Sequence, residues 1–336
     1  MIFDFHFLIL ALNQKLKNKN RIQHGVQVAK FSSHWKAIAC DLDGTLIGLD
    51  HKVNERDMEA LHQARRAGMH VAICTGRNAL ESAGVIGALG LRGPGVFVNG
   101  AMVCDMSVGK AMRSRWIADA LAREVIDFLG SKGHAVMMQA DDQATRLPAY
   151  LMTDHAPPHQ SIQEWMLIHR ISSRVCGGIP PEHEGRIVRL GIAVNLQEAA
   201  ELEIAIARQF GERISTQSMR SRFFDVQILE VFSPGTNKWS GIESMATELK
   251  IDANQVIAVG DDTNDVAMLE GASLSFAMGN ATPEIQATAK RVTRPQSECG
   301  VAAVIEDLLS GKLEPEAMTK LASSSQLQLR YHRKMI

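Results

Sequence analysis

The sequence predicts an α/β protein with one doubly wound domain around a parallel sheet, interrupted by a second, inserted α/β domain. Short apolar runs without alternation stand at residues 37–40, 70–74, 96–98 and 256–260, as strands buried on both faces of a parallel sheet require. Each run ends at a polar residue: Asp41, Thr75, Asn99 and Asp261. Open parallel sheets bind ligands at the carboxyl ends of their strands, so these residues fall on the functional edge. Helical patterns separate the runs at both ends of the chain, and such alternation defines the doubly wound arrangement.

Residues 1–33 read as a leader, disordered or loosely docked. Its apolar start carries Asp4 and His6, and the basic cluster Lys15, Lys17, Lys19 and Arg21 follows rather than precedes it. A signal peptide has the opposite order, and a spanning helix needs about 20 apolar residues. After the first strand, Asn54 is placed to cap a helix over 55–66 that Gly68 closes. A second helix is expected over 78–89, closed by Gly90. The catalytic core is expected at 34–100 and 226–310, with the inserted domain at 101–225 and a C-terminal tail at 311–336. Within the insertion, helices are expected over 116–129 and 197–210, and strands over 135–139, 188–194 and 223–231. The Pro-, His- and Ser-rich stretch 141–181 has weak periodicity and receives no element. Beyond the strand at 256–260 come a helix near 264–270, a strand over 273–278 and a helix opening at Pro283, a residue suited to a first turn.

With 336 residues, 46% hydrophobic and 22% charged, the chain has material for two ordinary globular domains. A net charge of −1 gives no global attraction to nucleic acid or a membrane surface. The five cysteines are widely spaced and odd in number, without a CxxC pair, which is the usage of a reducing compartment; the cytoplasm is the expected location. No HExxH pattern supports a zinc site.

The carboxyl edge collects Asp41, Asp43, Thr75, Asp261, Asp262, Asn264 and Asp265. Acids converging there repel unless a cation is present, and oxygen donors without His or Cys favour a hard ion such as Mg²⁺. The DLDGT segment opening at Asp41 is not an EF-hand loop, since its sixth and twelfth positions are Leu46 and Lys52. It leaves two carboxylates two residues apart at a strand-end turn. An Asp carboxylate can attack phosphorus, and a second acid can protonate the leaving oxygen and then activate water.

Four segments together resemble the motifs of the haloacid dehalogenase superfamily, and specifically its Cof-type phosphatases. They are DLDGT at 41–45, CTGR at 74–77, Lys238 within SPGTNKWSG, and GDDTNDVAML at 260–269; VNGAMV at 98–103 resembles the segment that opens the cap. The resemblance implies a Rossmann-like core with a large cap between the second and third motifs. It implies Asp41 as nucleophile and metal ligand, and Asp43 as general acid/base with its carbonyl on the metal. Thr75, Gly76, Lys238 and Asn264 would hold the phosphate and Asp261 would complete the Mg²⁺ site. Asp265 is expected to orient Lys238 or a metal-bound water, with Asp262 beside it. Arg77 is expected to pair with a neighbouring acid. Tyr150, His155 and His159 are the cap residues singled out as substrate contacts. Trp239 departs from the small residue usual after the lysine, which bears on helix packing.

The expected activity is hydrolysis of small phosphomonoesters, sugar phosphates or related metabolites, through an aspartyl-phosphate. The alternatives are a phosphomutase of the same superfamily and a catalytically silent regulator that binds phosphometabolites.

Overall fold

The structure is a computed structural model that describes residues 34–50, 52–141, 149–169, 171–221 and 224–314. The predicted leader 1–33, and the tail from 315 onward, lie outside these residues.

The chain opens with β1 (Ala37–Cys40), α1 (Glu55–Arg66), β2 (His70–Ile73), α2 (Ala83–Leu89) and the hairpin strands β3 (Pro94–Phe97), β4 (Met102–Asp105) and β5 (Ala111–Ser114). The middle holds α3 (Asp119–Ser131), β6 (Met137–Ala140), β7 (Ala149–Thr153), α4 (Gln160–His169), β8 (Ser173–Cys176), β9 (Ile187–Asn195), α5 (Leu196–Phe210), β10 (Ser215–Arg220) and β11 (Val226–Phe232). The chain then forms α6 (Lys238–Leu249), β12 (Val256–Gly260), α7 (Val266–Gly271), β13 (Leu274–Ala277), α8 (Pro283–Thr288), β14 (Arg291–Val292) and α9 (Gly300–Leu309).

The first sheet is parallel, in the order β14–β13–β12–β1–β2, with β1 between β12 and β2. Both faces of β1 are buried, as its apolar run foretold. Ile38 and Cys40 join one cluster with Leu61 of α1 and Ile305 of α9, while Ala37 and Ala39 join another with Ile242 and Met245 of α6. Alanines on the α6 side let that helix lie close to the sheet, which brings Lys238 to the strand edge. The third run, β3, extends this sheet only through a parallel bridge between Cys74 and Val96; its ladder partner is β4, antiparallel. Residues 102–114 thus pair in one three-stranded sheet with β3, and Met102, Cys104 and Met106 pack in the core's own cluster.

The second sheet runs β10–β11–β9–β6–β7–β8 and is antiparallel except at β7–β8. Alternation gives it two different faces. Met138, Leu190, Leu229 and Val231 point into a cluster with Val125 and Leu129 of α3 and Leu202 and Ile206 of α5. The neighbours in sequence, Gln139, Arg189 and Glu230, therefore face the other way, towards the first domain.

Four local expectations are corrected. The helix expected over 78–89 starts only at Ala83, because Asn78 and Glu81 bond each other's backbone amides through their side chains, at 2.8 and 2.9 Å. Such side-chain bonding competes with helical backbone pairing. Asn54 occupies the N-cap of α1 without capping it: its side-chain amide donates to the Gln296 carbonyl at 2.7 Å. The helix placed near Ser240 begins at Lys238 instead, since Asn237 caps it reciprocally with Ser240. The stretch 141–181 also carries β7, α4 and β8, none of which its periodicity announced.

Candidate active site

Asp41 follows β1 directly and Asp43 sits in the turn beyond it. Gly44, at φ +97°, turns the chain back, so that its amide donates to the Ile47 carbonyl. Asp261 follows β12, the parallel neighbour of β1, so the two acids stand side by side at the strand ends. Lys238 reaches the same point from the first residue of α6.

Lys238 is fully buried, and its ammonium donates to Asp41 Oδ1 at 2.6 Å and Asp265 Oδ1 at 2.5 Å. Burial alone would lower its pKa, but Asp265 and Asp41 outweigh it and raise the group above its ordinary range. Burial pushes the Asp41 carboxyl well up; Lys238 pulls it back, while Asp265, Asp261 and Asp43 push it further. Asp265 uses its second oxygen to accept the amides of Asp261 and Asp262 at 2.8 and 3.0 Å. Gly260 makes room for this, since a Cβ there would lie 2.5 Å from the Asp265 carboxyl carbon. Asp265 is thereby a brace for Lys238 and the turn. Asp262 caps that turn through the Thr263 amide.

Asp41, Asp261 and Asp265 each offer a carboxylate oxygen within 4.8 Å of one another. Three buried carboxylates face one ammonium, an excess of negative charge that a divalent cation offsets, and every donor is a hard oxygen. Asp265 already accepts the Lys238 ammonium and two backbone amides, so Asp41 and Asp261 are the better-placed carboxylate ligands. Thr45 Oγ1 donates to Asp261 Oδ1 at 2.8 Å and Asn280 Nδ2 lies 3.3 Å from Oδ2, fixing the orientation of that carboxylate. The donor set fits Mg²⁺.

Asp43 is partly exposed and held by both Arg77 Nε, at 2.7 Å, and Arg77 Nη2. Arg77 meets its expectation of pairing with a neighbouring acid. Thr75 is buried, its hydroxyl accepting from the Arg77 amide at 3.1 Å. The Gly76 carbonyl accepts from Arg189 at 3.3 Å, and Asn264 donates to Asn99 at 3.1 Å.

The three cap residues singled out fall in different surroundings. Tyr150 is buried, donates to Glu81 and receives Asn78 Nδ2, each at 2.5 Å, tying the second domain to the segment after CTGR. His159 serves α4, bonding Ser161 through Nδ1 at 2.9 Å. His155 packs against Gly130 of α3, where an added Cβ would lie 2.8 Å from its ring.

Sequence reading missed Gln139, Arg189 and Glu230, and put Asn99 on the strand-end edge without giving it a role. Arg189 donates to Glu230 at 2.6 Å, and Asn99 donates to the other Glu230 oxygen at 2.9 Å. Their only local trace was a charge inside an apolar strand, in RIVRLGIAVN and VQILEVF. Trp239 lies over Gly271 of α7, which explains how a large residue fits beside the lysine: a Cβ at Gly271 would lie 2.5 Å from its ring.

A buried carboxylate at the end of a central parallel strand, bonded by a lysine and flanked by acids that could hold a metal, is an arrangement suited to phosphoryl transfer. The chain belongs to the haloacid dehalogenase-like hydrolases, whose sequence pattern matches residues 38–305. The resemblance to Cof-type phosphatases holds at this level. Among relatives, the 5-amino-6-(5-phospho-D-ribitylamino)uracil phosphatase of Bacillus subtilis is 27% identical over 287 residues, covering 82% of this chain and 99% of that protein. The HMP-PP phosphatase of Yersinia enterocolitica is 26% identical over 257 residues, covering 75% and 86%. A solved phosphatase structure from Bacteroides thetaiotaomicron superposes with a TM-score of 0.66 at 20% identity, covering 84% of this chain and 98% of that one. Among the described residues, no helix is long and apolar enough to cross a membrane.

Proposed function

We propose that the chain is a Mg²⁺-dependent phosphatase of small phosphomonoesters that works through an aspartyl-phosphate on Asp41. The observation that carries this reading is the buried Lys238 ammonium bridging Asp41 and Asp265 beside Asp261. Phosphoryl transfer needs fixed positive charge and aligned donors more than covalent machinery. Lys238 supplies the charge and favours the ionised form of Asp41, opposing its burial. Thr75, the Gly76 amide and Asn264 are the donors assigned to the phosphate oxygens. Asp43, at the mouth of the site, is assigned proton transfer to the leaving oxygen and then from water. Mg²⁺, when held by Asp41, the Asp43 carbonyl and Asp261, would neutralise phosphate charge and orient the ester. The inserted domain, built on the six-stranded sheet, is assigned the role of covering the site and excluding bulk water during transfer. The free thiols of all five cysteines support a reducing, cytoplasmic setting.

The test is phosphate release from a panel of phosphomonoesters with and without Mg²⁺, against Asp41→Asn. Metal-dependent release that falls to background in a folded Asp41→Asn protein is the expected result. Undiminished turnover in that variant would remove the nucleophile from the mechanism.

A further inference from the structure

We propose that Gln139 and Arg189 of the inserted domain read the leaving group of the ester, and that this group is uncharged and rich in hydrogen-bond acceptors. The inference rests on the phosphatase reading and adds a substrate class to it.

Arg189 lies against the phosphate side of the site, donating to the Gly76 carbonyl at 3.3 Å. It also donates to Glu230 Oε1 at 2.6 Å and, through Nη2, to Gln139 Oε1 at 2.6 Å. The last bond fixes the Gln139 amide: its oxygen faces the guanidinium, so its nitrogen must face away. Gln139 Nε2 and Arg189 Nε have no hydrogen-bond partner among the described residues, although the side chains are only 1% and 6% exposed. Buried donors without acceptors are disfavoured, so closing the two domains on a ligand that supplies acceptors is favoured over closing them empty. Gln139 also lines a cavity of about 880 Å³ between α2, the β4–β5 hairpin and the second domain, with Met102 and Met106 on its wall. There is room there for a small metabolite.

Charge decides the class. Glu230, 5% exposed, neutralises Arg189 at contact distance, and the other acids close by, Glu81 held by Tyr150 and the buried Asp141 on the cavity wall, add only negative charge. A second phosphate or carboxylate placed here would be buried without a free counter-charge. Arg92 and Lys110, on the cavity rim, are exposed, where solvent screens them. Hydroxyl, carbonyl or ring-nitrogen acceptors satisfy Gln139 and Arg189 at no such penalty.

The test compares kcat/KM for fructose 6-phosphate, fructose 1,6-bisphosphate and phenyl phosphate, in the presence of Mg²⁺. The wild-type protein should prefer the monophosphate to the bisphosphate. Gln139→Leu should lower the ratio of fructose 6-phosphate to phenyl phosphate by about tenfold, because phenyl phosphate carries no acceptor beyond its ester oxygen. Glu230→Gln, nearly isosteric, should raise the relative rate on the bisphosphate by unmasking Arg189. A wild-type preference for the bisphosphate would overturn the inference, as would an unchanged ratio in folded Gln139→Leu. Absence of release from all three esters by the wild-type protein would instead strike the phosphatase reading, and this inference with it.

Discussion

Lys238 has no access to solvent, so its charge is stabilised entirely by the two carboxylates it touches. Asp265→Asn removes one of them and leaves the ammonium and Asp41 to balance alone. Breaking a buried pair in this way costs roughly 3–5 kcal/mol. We expect a matching loss of stability in denaturant melts, together with a fall in kcat, since Lys238 is then held by Asp41 alone. Wild-type stability in that variant would remove Asp265 as the brace. His70 allows a second prediction at this scale. Burial lowers its pKa below the ordinary 6.5, against the opposing bond from Nε2 to the Pro94 carbonyl. A depressed imidazole stabilises the fold above 6.5 and loses that contribution as pH falls through 6.5 towards the folded-state value. Thermal melts between about pH 7.5 and 5 should therefore fall more steeply for wild type than for His70→Gln. Strand-end acids were legible in the sequence because each terminates an apolar run. Arg189 and Glu230 were not, because their partners lie at Gln139 and Asn99, and nothing local announces such pairing.

Helix α6 shows how an element's boundary places a functional group. Asn237 Oδ1 accepts the Ser240 amide at 2.9 Å while Ser240 Oγ accepts the Asn237 amide at 3.1 Å, which starts the helix at Lys238. Asn237→Ala should cost about 1 kcal/mol of stability. It should also reduce kcat by loosening the backbone that carries the lysine; an unchanged kcat with lowered stability would confine Asn237 to capping. The Asn-x-x-Ser spacing was present in the sequence, and read as a capping box it gives this start two residues earlier than expected. Elements such as β8 and α4 were beyond such reading. β8 is a short edge strand with Val175 exposed, and α4 leaves Leu167 and Ile168 in solvent, so neither shows the periodicity of a buried face. Their places are set by pairing with β7 and packing on the sheet rather than by pattern.

For the whole molecule, the excess negative charge at the strand edge should make the fold a reporter of the proposed metal. A ligand that binds only the folded state stabilises it by about 2.7 kcal/mol at a hundred times its Kd. Mg²⁺ should raise the melting temperature of the wild-type protein and do so much less for Asp261→Asn, without any substrate present. An equal rise in both would place the ion elsewhere. The two-domain plan was legible because strand–helix alternation stops and resumes; the polar face that Gln139, Arg189 and Glu230 turn to the core arises only from the register of β6, β9 and β11. The position of β1 has a consequence in time as well as space. Its β2 neighbour follows within a few dozen residues, but β12 is separated from it by roughly two hundred, from Ala37 to Val256. At 5–20 residues per second, a ribosome would take about 10–40 s to deliver the second partner. Throughout that interval the strand bearing the nucleophile has one edge open, and that edge is where a chaperone would have to act on the nascent chain.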